Sequence, residues 1–296
     1  MTYTSAHSTF VSLKSFGDLV IANSCLKRID RPDRNMISQL IGSHLAELNE
    51  VLGCDWEVAL LPARAPGVPA IFDVRKNGPL RALSSAIDLR RALKKADFKQ
   101  ETTFVFDNAG QRERFLASGR RILSLQKDAG NIYESYLSFF RQQSISFAPE
   151  MPAKDANGGG IGIFPGSRVA RKNLSQALVR ETLDICAASA SNVTLYLLNG
   201  ERPDLEETDI PHQIVPRNFK AMSDAIRGCD MVVGADSMPA HIAEAYGRPV
   251  FVLSPVENSY WLPLSSFRRR NWALFSDDSH IARLEEFIAS QSHGFA

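Results

Sequence analysis

Three clusters in this sequence have residue types and spacings suited to chemistry on a phosphorylated substrate. The first is Asp236-Ser237-Met238-Pro239-Ala240-His241. It follows a short apolar run, 229–235, that reads as a buried strand, and precedes a short helix, 242–246, stopped by Gly247, Arg248 and Pro249. Pro239 falls in the first helical turn, where its missing N–H costs nothing. Such a helix start offers free N–H groups and a partial positive charge to an anion, with His241 one turn further in. The second cluster is Pro165-Gly166-Ser167-Arg168 with Lys172, which supplies backbone N–H groups, a hydroxyl and two cations. Together the two suit a diphosphate. The third is Asp18, after Lys14-Ser15-Phe16-Gly17, a carboxylate that could serve as a general base. Gly17 would let the backbone turn sharply or approach a ligand closely. The bland alternative is that Asp18, Asp236 and Ser237 only cap helices and His241 is only packed. No Walker loop and no GxGxxG fingerprint occurs, so ATP hydrolysis and NAD binding lack support. No His, Cys and carboxylate cluster has metal-ligand spacing, so no metal is expected.

The elements that must position these residues are those of an α/β protein. Strands are predicted at 9–13, 56–61, 70–74 and 103–106, with helices at 19–29, 36–52, 81–96, 112–118 and 132–142. Asp18 would then stand at a strand's carboxyl end, where ligands gather in open α/β sheets. The glycine-rich 153–160 reads as a linker, which divides the chain into domains 1–153 and 154–296. The second half restarts with strands at 161–164, 193–198, 214–215, 229–235 and 250–253. Helices are predicted over 174–189, 220–228 and 281–288, the first led into by Arg171-Lys172-Asn173 and the last able to pack back on the first domain. Alternating strand and helix implies parallel sheets with covered faces.

At 296 residues, with 44% hydrophobic and 23% charged residues, the chain can bury a substantial core. Net charge is +1, divided as 20 Lys+Arg against 16 Asp+Glu up to residue 150 and 14 against 17 beyond. That imbalance is too small to imply nucleic acid. Arg90, Arg91, Lys94 and Lys95 read chiefly as a solvated helix face, with an acceptor-facing or membrane-facing patch as the alternative. Arg268-Arg269-Arg270 reads as a solvated cluster, with a phosphorylated acceptor or a membrane surface as its alternative. The four cysteines are scattered and read as reduced thiols. No apolar run approaches a membrane span, and the first ten residues lack a signal-peptide pattern. The expected location is cytoplasmic, with peripheral contact at the inner face of the membrane as its extension.

Taken in order, these stretches carry a resemblance. Lys14 to Val20 resembles the opening loop of the lipopolysaccharide heptosyltransferases, glycosyltransferase family 9. Ile163-Phe164-Pro165-Gly166-Ser167 with Lys172 resembles that family's donor-phosphate loop, and Asn218 through His241 is similar to its most recognisable block. The resemblance implies a GT-B fold, two Rossmann-like parallel-sheet domains facing a central cleft, the first binding acceptor and the second donor. It implies an inverting, metal-independent transfer of a heptose-like sugar from a nucleotide-diphosphate sugar, ADP-heptose in the best-known members, to a lipopolysaccharide or other glycan hydroxyl. The donor is a co-substrate, and no cofactor is expected. By the same resemblance Asp18 would take the acceptor proton, and Lys172 with Ser167 and Arg168 would stabilise the departing charge. The N–H groups of Ser237, Met238 and Ala240 would hold the other phosphate, and Glu201, Asp204 or Glu206 the ribose.

The sequence departs from the family pattern at Met238, where a glycine is usual, and at Leu253-Ser254-Pro255. A side chain at 238 would reshape the donor site. Two alternatives follow: a degenerate relative that binds nucleotide or glycan without turnover, and a nucleotide-sugar epimerase.

Overall fold

The computed structural model describes residues 7–61, 68–95, 102–117, 119–126, 130–152 and 160–292. The linker read at 153–160 lies outside them except for Gly160, as does most of the 62–69 loop. The chain forms two compact units. Unit 1 is Met1–Ala129 with Ser135–Pro149, and unit 2 is Gly130–Glu134 with Glu150–Ala296. The division thus differs from a single break at 153, because a five-residue segment belongs to unit 2. Its anchor is Asn131, whose Nδ2 donates to the carbonyls of Ser259 (2.9 Å) and Leu262 (3.0 Å).

Unit 1 is a parallel sheet of β1 (Ser8–Ser12), β2 (Ile37–Gly42), β3 (Glu57–Leu61), β4 (Thr103–Phe106) and β5 (Ile122–Ser124), in the order β3-β2-β1-β4-β5. Val11, Leu40, Phe104 and Phe106 fill one face with Leu89 and Leu93 of helix Pro79–Lys95. On the other face, Phe10 meets Tyr136, Phe139 and Phe140 of helix Ile132–Gln142 at 5.8–6.2 Å between ring centroids.

Two sequence expectations fail here. The helix expected over 36–52 is β2, a 3-10 turn (Ser43–Leu45) and a short helix (Ala46–Leu52). Every residue of β2 is buried, and a strand covered on both faces loses the alternation that marks it. Its buried Gln39 is satisfied by donating to Asn23 Oδ1 (2.7 Å) and accepting from Trp56 Nε1 (3.2 Å). The strand expected at 70–74 is a 3-10 turn (Ala70–Phe72) followed by a short helix (Val74–Asn77), which Asp73 caps by accepting from Lys76 N. The three-residue β5 was not anticipated.

Unit 2 is a parallel sheet of β6 (Ile161–Phe164), β7 (Val193–Leu198), β8 (Gln213–Val215), β9 (Met231–Ala235), β10 (Val250–Ser254) and β11 (Trp272–Leu274), in the order β11-β10-β9-β6-β7-β8. Helix His280–Ser292 belongs to unit 2. Its Leu284, Phe287 and Ile288 join the core of unit 2, with Phe287 5.5 Å from Phe251. β11 and helix Leu264–Arg269 were not foreseen.

In each unit the first strand lies inside the sheet, and the chain winds to one side before returning to the other. The winding reverses between β1 and β4 in unit 1 and between β6 and β9 in unit 2. Ligands of doubly wound sheets bind outside the strands' carboxyl ends at this reversal.

Candidate functional site

The reversal in unit 2 gathers the two predicted anion-binding clusters. β6 and β9 pair in parallel with Phe164 opposite Gly234, so the loops leaving them run side by side. Gly234 is required there, since a Cβ would sit 2.7 Å from the Phe164 carbonyl oxygen. Ser237 Oγ ties the loops together by donating to Gly166 O at 2.9 Å. Ser237 is thus the N-cap residue of helix Met238–Ala245 by position, but its hydroxyl makes no cap hydrogen bond.

The loop after Gly166 folds back on itself. Asn173 Oδ1 accepts from Ser167 N (2.7 Å), Ser167 Oγ accepts from Val169 N (3.3 Å), and Leu174 N donates to Pro165 O (3.0 Å). A 3-10 turn, Ala170–Lys172, then aims Lys172 at the end of β9, where its Nζ meets Asp236 Oδ2 at 2.7 Å. Arg168, on the same loop, is exposed, with no hydrogen-bond or ion-pair partner among the described residues.

This geometry corrects the expected N–H donors. Ala240 N is already engaged with Ser237 O at 3.2 Å, whereas the N–H groups of Ser237 and Met238 carry no hydrogen bond among the described residues. Ser167 offers its hydroxyl but not its N–H. Met238 is the first residue of the helix and half-exposed.

The three acids after Gly200 separate cleanly. Glu206 Oε1 accepts from Gly200 N (2.9 Å), and Asp204 is held by both arms of Arg202 (2.8 and 2.6 Å). The Glu201 carboxylate accepts no hydrogen bond among the described residues, and it lies against Gly166, where a Cβ would collide with it. Burial pushes the Glu201 pKa up, while Arg217 and Arg202 pull it back. Arg202 was not singled out by sequence. It is buried, and its third contact, to Pro165 O at 3.3 Å, steadies the anion loop.

His241 is buried, and its Nδ1 lies 3.0 Å from Tyr133 Oη, with the rings stacked at 6.1 Å. Burial lowers its pKa to about 4 against the opposing pull of Asp236, and Lys172 lowers it further. The imidazole is therefore neutral at physiological pH. A depressed histidine pKa contributes stability that is present above the unfolded value near 6.5 and is lost as pH falls towards 4. Replacing His241 by asparagine is expected to flatten the fall in melting temperature across that window. A fall of the same steepness in the variant would assign that loss to other groups. Tyr133 lies 108 residues upstream of its partner, and no local pattern in the sequence pointed to it.

In unit 1 the reversal gathers a second group. Asp18, Lys14, Asp107, Phe72 and Tyr136 line a pocket at the ends of β1 and β4. Ser15 is the N-cap of helix Phe16–Leu26, and Asp18 completes a capping box: Ser15 Oγ accepts from Asp18 N, and Asp18 Oδ2 accepts from Ser15 N, both at 3.3 Å. The cap uses one oxygen. The other, Oδ1, carries no hydrogen bond among the described residues. Burial and then the charge of Asp107 push the Asp18 pKa up, against the Ser15 hydrogen bonds and Lys14. Lys14 is itself drawn aside by both oxygens of Asp107, at 2.9 and 3.1 Å. Gly17 has no left-handed backbone, and a Cβ there would meet nothing closer than 3.9 Å, so the sharp turn expected of it is absent. Among the described residues no three His, Cys, Asp or Glu side chains are grouped to hold a metal ion.

No protein-family model matches the chain, and no curated protein matches it. Its fold, however, is shared with solved structures. A glycosyltransferase family 9 protein from Veillonella parvula superposes with a TM-score of 0.65 at 12% identity, covering 99% of this chain and 98% of that one. The E. coli heptosyltransferase WaaC with ADP-2-deoxy-2-fluoro heptose gives 0.61 at 13%, covering 98% and 99%. The E. coli ADP-heptose lipopolysaccharide heptosyltransferase II gives 0.60 at 13%, covering 96% and 99%. Two parallel-sheet α/β units of this kind define the GT-B fold, and at these identities the likeness establishes the fold alone.

Proposed function

We propose that this chain is a glycosyltransferase that moves a sugar from a nucleotide-diphosphate sugar to a glycan or lipid-linked glycan hydroxyl, with inversion and without a metal. The observation that carries the reading is the cradle at the β6–β9 reversal. The N–H groups of Ser237 and Met238, the Ser167 hydroxyl and Lys172 lie on the two loops leaving β6 and β9, which Ser237 Oγ ties together, and with Arg168 exposed on the first loop they would offer a diphosphate its donors. Preorganised donors aimed at developing charge supply much of the stabilisation in group transfer, and here they would receive the departing diphosphate. Glu201, the acid with an unengaged carboxylate, is assigned to the ribose hydroxyls. Asp18 in unit 1 is assigned as the base that takes the acceptor proton, its raised pKa suiting a group that must bind a proton in the transition state. An ADP-linked, heptose-like donor is favoured by the company this fold keeps, since one neighbour holds ADP-2-deoxy-2-fluoro heptose.

A second reading, binding without turnover, draws on Met238. A side chain at this position, where the resembled family carries glycine, would narrow the approach to the two N–H groups, and Ala240 N is already engaged with Ser237 O. A thermal-shift panel of ADP, GDP, UDP and CDP with their sugar conjugates tests the proposal. A ligand at 100 times its Kd adds about 2.7 kcal/mol of stability. A selective shift with one diphosphate is expected, followed by transfer to an acceptor in a screen. Binding without transfer would favour the second reading, and no shift with any of them would overturn the first and leave the second as a glycan binder.

A further inference from the structure

Helix Pro79–Lys95 buries Ala82, Ala86, Leu89 and Leu93 against unit 1. Its opposite face is not the polar surface expected of a solvated helix. Leu80, Leu83 and Ile87 are 82%, 57% and 37% exposed. Their spacing of three and four residues places them in one stripe. The preceding short helix adds exposed Val74 beside exposed Arg75 and Lys76. A single exposed leucine needs no explanation, but a contiguous apolar stripe does.

The charge around the stripe indicates what it fits. From 73 to 95 the sequence holds seven Lys+Arg against two acids, Asp73 and Asp88, in a chain whose net charge is +1. Asp73 is partly engaged in capping its own helix. Arg91 and Lys94 continue the stripe toward the helix's C-terminal end, both exposed, while Arg90 lies over the ring of Phe115 at 4.5 Å. No helix among the described residues is long and apolar enough to cross a membrane. A helix with leucines on its outer face and flanking cations instead suits the plane of a headgroup layer, where long basic side chains reach phosphates while the leucines enter the acyl boundary.

We propose that the outer face of helix Pro79–Lys95, with Val74, Arg75 and Lys76, docks unit 1 onto a bilayer surface rich in anionic lipid headgroups. Charge complementarity selects this occupant: the apolar stripe alone would suit many partners, but a continuous anionic surface matches cations at both ends of the stripe, Arg75, Lys76 and Arg81 at its start and Arg91 and Lys94 after it. The inference does not rest on the transferase reading, and its test contains no nucleotide, so the two can fail separately.

The test is flotation of the full chain with phosphatidylcholine vesicles, with and without about one-third phosphatidylglycerol. Binding is expected only to the anionic vesicles and should weaken with salt. Leu80→Ser/Leu83→Ser/Ile87→Ser should cut binding at least about tenfold with an unchanged melting temperature, since the three side chains face solvent. Arg91→Glu/Lys94→Glu should remove much of the salt-sensitive part. Failure of the native chain to bind anionic vesicles would overturn the proposal, as would undiminished binding by the triple variant. A native dimer that the triple variant converts to monomer, with no vesicle binding, would assign the stripe to a second copy and overturn it equally.

Discussion

Replacing Asp18 by asparagine is expected to lower sugar transfer by about 10²–10⁴-fold, the usual contribution of a positioned general base. Donor binding should be unchanged, because the diphosphate cradle is built wholly from unit 2 residues. Asparagine is the informative substitution. Its carbonyl oxygen can still accept from Ser15 N, so the capping box survives while the base is lost. Alanine would also remove the return half of the box, leaving Ser15 N without its acceptor, although the Ser15 cap on residue 18 N would remain. The pH dependence follows from the raised pKa of Asp18. Transfer should fail as pH drops through that value, so the acid limb should lie above the ordinary aspartate pKa near 3.9. Stability runs the opposite way. A carboxyl whose folded pKa is raised contributes stability present below the unfolded value and lost as pH rises through the folded one. The asparagine variant should therefore melt at or above the native temperature at neutral pH, with the difference vanishing in acid. Transfer at the native rate by this variant would exclude Asp18 as the base.

The same loop shows why a residue's chemistry was legible before its surroundings were. Asp18 was readable because it opens a helix directly after an apolar strand, and such positions follow from local pattern. The capping role and the candidate base are not rivals, since the two oxygens of one carboxylate divide them. The causes of the raised pKa, burial first and the charge of Asp107 second, were not legible, because Asp107 and the pocket-lining Tyr136 come from elements about 90 and 120 residues away through the sheet's winding. Most strands were evident from apolar runs bounded by turns, from β6 through β10 especially. β2 was lost because burial on both faces removes the alternation, and Ile37, Leu40 and Ile41 mimic a helical stripe. β5 and β11 are three residues each, too short for any periodicity to register.

In unit 2, Gly166, Ser167, Lys172, Asp236, Ser237, Met238 and His241 were read from two stretches of sequence, and parallel pairing of β6 with β9 sets those stretches side by side. Their hydrogen-bond states were not legible. Which N–H is spent depends on Asn173 and Ser237 O, and which acid is unengaged depends on Arg202, and neither depends on spacing alone. The place of Tyr133 follows from the 130–134 segment belonging to unit 2, a tertiary fact without a local sequence signal.

Lys172→Met should do two separable kinds of damage, and the second carries the test of function. Lys172 is 22% exposed and Asp236 only 5%, so removing the lysine strands a buried carboxylate. Breaking a fully buried pair in this way costs about 3–5 kcal/mol, and the partial exposure of this one lowers the expectation to about 1–3 kcal/mol. The same stranded charge faces the diphosphate cradle, so affinity for the diphosphate chosen by the thermal-shift panel should fall about 100-fold or more. Asp236→Asn should have the opposite sign for binding, since it removes an anion from the site and frees Lys172 for phosphate. The double variant then decides between the roles. With no carboxylate to strand, its stability should return to within about 1 kcal/mol of native, a coupling that a double-mutant cycle reads directly. Its affinity for the diphosphate should stay at least about tenfold below native, because the cation itself is gone. If the double variant bound the diphosphate as well as the native chain, Lys172 would be a structural partner of Asp236 and nothing more, and the charge that stabilises a leaving diphosphate would have to come from Arg168.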